Sequence, residues 1–77
     1  VSSLLSATVV APTCAEADAY GTMFLALGKE RAIEAAKRLA ERGIMVYFIA
    51  SGDDDFEVYY SEALAPALKQ TDGFNSI

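Results

Sequence analysis

At 77 residues the chain has room for one small domain, and a domain of about 60 residues buries only about 60% of the surface its unfolded form exposes. Hydrophobic residues make up 53% of it, above the roughly 45–50% usual for soluble domains, so apolar surface is left over for a partner subunit or for further chain. The net charge of -5 argues against a nucleic-acid binder, because phosphate contacts need clustered Lys and Arg, and Lys29, Arg31, Lys37 and Arg38 are instead interleaved with Glu30 and Glu34.

Other classes fall away on single residue types. No apolar run reaches the about 18 residues of a transmembrane helix. Cys14 is the sole cysteine, which excludes an internal disulfide and a Cys-based zinc site, and the absence of His removes the commonest metal ligand and general base. The chain opens at Val1 rather than Met and reads as a segment of a longer protein, so it does not decide the question of a leader or lipid anchor.

In chain order, Leu5 to Ala11 alternates small and branched residues over a strand's length, and Pro12 stops it. Thr13-Cys14-Ala15-Glu16 is a capping box: the Thr13 hydroxyl accepts from the Glu16 N–H while the Glu16 carboxylate reaches back. A helix is predicted from Cys14 to Leu27, with Ala17, Tyr20, Phe24 and Leu27 at helical spacing and Gly28 in a left-handed closing position. A second helix runs from Lys29 to Arg42 on an apolar stripe of Ala32, Ile33, Ala36, Leu39 and Ala40, closed by Gly43.

Ile44 to Ala50 contains no polar residue and reads as a central strand covered on both faces. Ser51 to Asp55 is a turn, and Phe56 to Tyr60 completes a hairpin in which Phe56, Val58 and Tyr60 face the core. Past Ser61, Pro66 and Gly73 leave a short helical turn at most and then a frayed tail. The order strand, helix, helix, strand, strand makes a small α+β layer of two helices on three strands, with 1–61 as the structured portion and 62–77 as a tail, partly ordered at most.

One helix position pair invites chemistry. Asp18 and Thr22 are four apart and lie one above the other, with Cys14 on the same line. Two readings stand side by side: the pair offers a carboxylate and a hydroxyl oxygen to an ion such as magnesium, or Asp18 answers the helix dipole while Thr22 bonds a backbone carbonyl. Three further features favour plain structure. Asp53, Asp54 and Asp55 lack the spacing of a calcium loop, Tyr47, Tyr59 and Tyr60 suit a strand core better than a ring-stacking site, and Cys14 has neither a partner base nor a second thiol.

The run Thr8-Val9-Val10-Ala11-Pro12-Thr13, then Glu16-Ala17-Asp18-Ala19-Tyr20 and Thr22, then the Leu25-Ala26-Leu27-Gly28 turn, resembles the C-terminal portion of the FAD:protein FMN transferase (ApbE) family. The likeness continues through the apolar strand Val46 to Ala50, an acidic turn and an aromatic strand ending in Ser61. Gly21 and Cys14 depart from the family, which favours alanine at both, and glycine at 21 costs a helix about 1 kcal/mol relative to alanine.

This resemblance implies that Asp18 and Thr22 bind a magnesium ion on the pyrophosphate of FAD, with no catalytic base in this chain. It implies an enzyme that attaches FMN to a threonine of a target flavoprotein and releases AMP, on the periplasmic side as a membrane-anchored lipoprotein. The family's histidine and D-P-x-x-G-x-P segment, which helps hold FAD, precedes the part matched here, so these 77 residues alone are expected to be inactive and to need a missing N-terminal part. The alternative is a non-catalytic α+β association module that forms a homo-oligomer through its uncovered surface.

Overall fold

The computed structural model of the chain describes residues 4–52, 55–68 and 73–77. Strand β1 (Leu4–Val10) leads into helix α1 (Cys14–Leu27), helix α2 (Lys29–Ala40), strand β2 (Met45–Ser51) and strand β3 (Phe56–Tyr60), followed by a 3₁₀ turn (Glu62–Ala67) and a short strand β4 (Asn75–Ser76). Among the described residues the sheet has four strands in the order β1-β2-β3-β4, antiparallel except for the last pair. Both helices pack on one side of it, as expected of a small α+β layer.

The helix boundaries follow from backbone chemistry. Thr13 caps α1, its hydroxyl accepting from the Glu16 N–H at 3.1 Å. Gly28 closes α1 by donating to the Phe24 carbonyl and opens α2 by accepting from the Ala32 N–H, so one residue turns the corner between the two helices. Its φ of 83° is positive as expected, but ψ of 173° places it in the extended region open to glycine alone rather than in the left-handed helical well. Helix α2 ends at Ala40, two residues short of the predicted Arg42, because the Arg42 and Gly43 N–H groups bond three residues back and tighten the chain into a turn.

Register assigns the sheet faces. Pairs Ala7 with Phe48 and Val9 with Val46 set the helix-facing side, and opposite residues share a face. An irregularity between Leu4 and Ser6 absorbs one residue, which returns Leu4 to the helix side opposite Ala50. Val46, Phe48 and Ala50 are fully buried there, together with Phe24 of α1 and Ala32 and Ala36 of α2, whose small side chains let α2 approach closely. Phe24 and Phe48 meet edge to face with ring centroids 4.9 Å apart, and Tyr20 stacks beside Phe24 at 6.4 Å.

Three expectations are corrected. β2 is an inner strand, but only one of its faces is covered: Met45, Tyr47 and Ile49 on the other side are half-buried. In β3 the helix-facing residues are Glu57 and Tyr59, opposite Ala50 and Phe48, while Phe56, Val58 and Tyr60 lie on the far side with Tyr47 and Ile49. The hairpin register dictates this, and a one-residue difference exchanges every side chain between faces. Finally, the tail adds a strand: β4 pairs in parallel with the end of β3, and the Ile77 N–H donates to the Tyr60 carbonyl at 2.8 Å. Of the predicted 51–55 turn, Asp53 and Asp54 lie outside the described residues; the Gly52 N–H donates to the Asp55 carbonyl at 2.7 Å, which closes the loop.

Ser61 ties the end of β3 to the start of β2: its N–H donates to the Val46 carbonyl and its buried Oγ accepts from the Val46 N–H, both at 2.9 Å. Replacing Phe24 with alanine removes the ring that joins both helices to the sheet and is expected to cost about 3–5 kcal/mol. Urea unfolding followed by circular dichroism is the check. Ser61→Ala strands a buried N–H and is expected to cost about 1–3 kcal/mol in the same experiment.

Candidate metal-binding face of helix α1

The buried Phe24 fixes how α1 is rolled on the sheet. Ala17, Tyr20, Met23 and Leu27 lie half-buried around it, which leaves Cys14, Asp18 and Thr22 as an exposed line directed to solvent. The Thr22 hydroxyl donates to the backbone carbonyl of Asp18 at 3.1 Å. That bond is the structural role foreseen for Thr22, and it also bears on the ligand role. With its proton committed to the carbonyl, the hydroxyl keeps oxygen lone pairs to offer outward, one helical turn from the Asp18 carboxylate.

The donor set is all oxygen, one charged and one neutral, which suits a hard divalent cation such as magnesium. Among the described residues no three His, Cys, Asp or Glu side chains gather into a metal-holding group. Asp18 and Thr22 thus bring one carboxylate and one hydroxyl oxygen to the same exposed face of α1. Cys14 is free and exposed one turn before Asp18. Gly21 lies to the side of this line, toward β1, where a Cβ would lie 3.8 Å from the Ala7 carbonyl oxygen and 4.0 Å from a Val9 methyl, both ordinary contacts.

A second polar cluster, not foreseen from the sequence, lies at the start of α2. Lys29 Nζ is 2.6 Å from Glu57 Oε1 and 5.1 Å from the centre of the Tyr59 ring, and the Tyr59 hydroxyl donates to the same carboxylate oxygen at 3.2 Å. The hydrogen bond from Lys29 holds the Glu57 carboxyl below its usual range, and the bond to Glu57 pushes the Lys29 ammonium above its own. Gly52 makes room for this arrangement, since a Cβ there would fall 3.0 Å from Glu57 Cγ and 2.5 Å from the Asp55 carbonyl oxygen. The signal in the sequence was a lone acid inside an otherwise apolar strand, with a lysine directly after a helix-turning glycine.

The sequence model of the ApbE family matches residues 1–48, which carry β1, both helices and the first half of β2. The chain belongs to the ApbE family. It is similar to the FAD:protein FMN transferase of Escherichia coli K12, at 42% identity over 59 residues, which are 77% of this chain and 16% of that protein. The enzymes of the same name from Klebsiella pneumoniae and Salmonella typhimurium are 38% and 36% identical over 75% and 77% of the chain. The chain thus spans about a sixth of the length of these curated relatives. No solved structure matches it. Within the matched ApbE region lie both the Asp18–Thr22 face and the capping box that starts its helix.

Two outcomes are expected from this geometry. Gly21→Ala should stabilise the chain by about 1 kcal/mol, because the helix gains propensity and the methyl meets no close neighbour; thermal unfolding measures it. The Lys29–Glu57 pair should confer a pH dependence with a defined sign. A carboxyl whose folded value is lowered contributes stability above its ordinary 4.5 and loses it as pH falls through the folded value, whereas Lys29 keeps its contribution until pH rises past 10.5. Melting curves of Glu57→Gln should therefore fall less steeply than the parent's below pH 4.5 and run parallel to them near neutrality.

Proposed function

We propose that this chain is part of a magnesium-dependent FAD:protein FMN transferase and that Asp18 and Thr22 are its ligands to the metal. The observation that carries the reading is the exposed Asp18–Thr22 line inside the family-matched region, with the Thr22 proton engaged by the Asp18 carbonyl, which leaves the oxygen's lone pairs free to accept a cation. The relatives' name supplies the rest: FAD is the donor and a protein the acceptor of FMN. A bound magnesium ion would neutralise pyrophosphate charge and align the phosphorus for displacement.

In this reaction an acceptor threonine oxygen forms a bond to the FMN-side phosphorus as the bond to the AMP phosphate breaks, and the threonine proton passes to a base. This chain has no histidine to take that proton, so its own contribution is ligation and placement. Asp18 supplies the anionic oxygen, Thr22 the neutral one, and the packed helix holds both at fixed spacing before substrate arrives. The remaining FAD contacts and the base belong to the rest of the transferase, and the 77 residues alone do not turn over FAD.

The test is AMP release by the full-length transferase carrying this segment, titrated with magnesium. Asp18→Asn should lower transfer by more than the roughly 10–100-fold typical of outer-shell metal partners, with the circular dichroism spectrum unchanged. Thr22→Ser should stay near the parent, while Thr22→Val should shift half-activation to higher magnesium. An Asp18→Asn enzyme with the parent's magnesium curve would overturn the assignment.

A further inference from the structure

Among the described residues the sheet has one face packed by helices and one without a helical layer. On the uncovered face the register places Thr8 and Val10 of β1, Met45, Tyr47 and Ile49 of β2, and Val58 of β3, and none of the β1–β3 residues on this side carries a charge. Val10 and Phe56 are 44% and 69% exposed there. Phe74 and Tyr47 meet edge to face with ring centroids 6.3 Å apart and Tyr60 beside them is buried, so that end of the face is capped, while Thr8 and Val10 are exposed and Met45, Ile49 and Val58 half-buried. Charges reside elsewhere: Glu57 turns to the helix side, and α2 carries an exposed mixture of Glu, Lys and Arg. A face stripped of charge and rich in branched and aromatic side chains has the composition of an interior.

We infer that this face is the surface on which the rest of the transferase chain packs, as a covering layer of apolar, uncharged side chains, rather than a site for a second copy. The inference rests on the family reading given above. Connectivity decides between the two occupants: a second copy would have to offset the freedom lost on association. A covalently continuous layer loses far less, and the matched segment is only 16% of the K12 relative, which leaves ample chain to supply one. Strands with helices on one side and a second layer on the other would then have β2 buried on both faces, the environment that its unbroken run of apolar residues fits.

Ile49→Lys puts a charge at the centre of this face, and the test reads its effect in two molecules. In the full-length transferase carrying the segment, the substitution should abolish soluble folded protein or lower the urea midpoint sharply, because the lysine is forced under the covering layer. In the 77-residue chain it should leave the circular dichroism spectrum unchanged and reduce binding of a hydrophobic dye, because there the side chain meets water. Val58→Thr, a milder change on the same face, gives a measurable midpoint where the lysine variant yields no protein. The inference is overturned by an Ile49→Lys transferase with the parent's midpoint. It is overturned equally if the 77-residue chain sediments as a dimer that Ile49→Lys dissociates. Neither readout uses flavin transfer, so its failure is separate from failure of the metal assignment.

Discussion

The contact between Phe24 and Phe48 sets the geometry of everything else. Both rings are fully buried, one from α1 and one from the middle strand, and they lock edge to face. Once Phe24 points into the sheet, the 3.6-residue repeat leaves no choice about the remaining positions of α1. Asp18 and Thr22 must face solvent, and Gly21 must face β1. The aromatic pair also sets which side chains of α1 reach solvent: a helix rolled by half a turn would bury the Asp18 carboxylate.

The two ends of this arrangement are held by backbone and charge. At the start of α1, Thr13 satisfies an N–H that would otherwise lack a partner, which places the helix end at a fixed residue. At its far end Gly28 turns the chain, and Lys29 immediately anchors the next helix to β3 through Glu57 and Tyr59. This cluster is partly screened by solvent, so its value lies in fixing which strand face meets α2 more than in raw stability. A rigid corner, a capped start and a buried ring together present Asp18 and Thr22 at constant spacing, the pre-organisation that the proposed metal ligation would require.

The helices were legible because each carries its own punctuation. The capping box at Thr13, the 3.6-residue spacing through Phe24 and the glycine at 28 placed α1 at its observed limits, and the strand Phe56–Tyr60 was bounded equally well by the acidic turn before it and Ser61 after it. What escaped depends on partners distant in sequence. Alternation in β3 showed that two faces exist but could not say which meets the helices; that is decided by the cross-strand match to Phe48 and by Lys29, 28 residues away. β4 is two residues long and owes its existence to the edge of β3, so no local pattern could announce it. The Asp18–Thr22 spacing was readable at once, yet spacing alone does not separate a ligand pair from ordinary helix surface, and the reading as ligands came from the resemblance as an expectation.

The role proposed for Asp18 and Thr22 is to hold a divalent cation through their exposed oxygens. Manganese substitutes for magnesium at oxygen sites and broadens nearby amide signals even when binding is weak. A manganese titration of the ¹⁵N-labelled chain, read residue by residue in its amide spectrum, tests the claim directly. The account predicts that the amides around Asp18 and Thr22 broaden first and that Asp18→Asn abolishes the effect. Broadening that leaves these α1 signals sharp while other acidic positions lose theirs would contradict it.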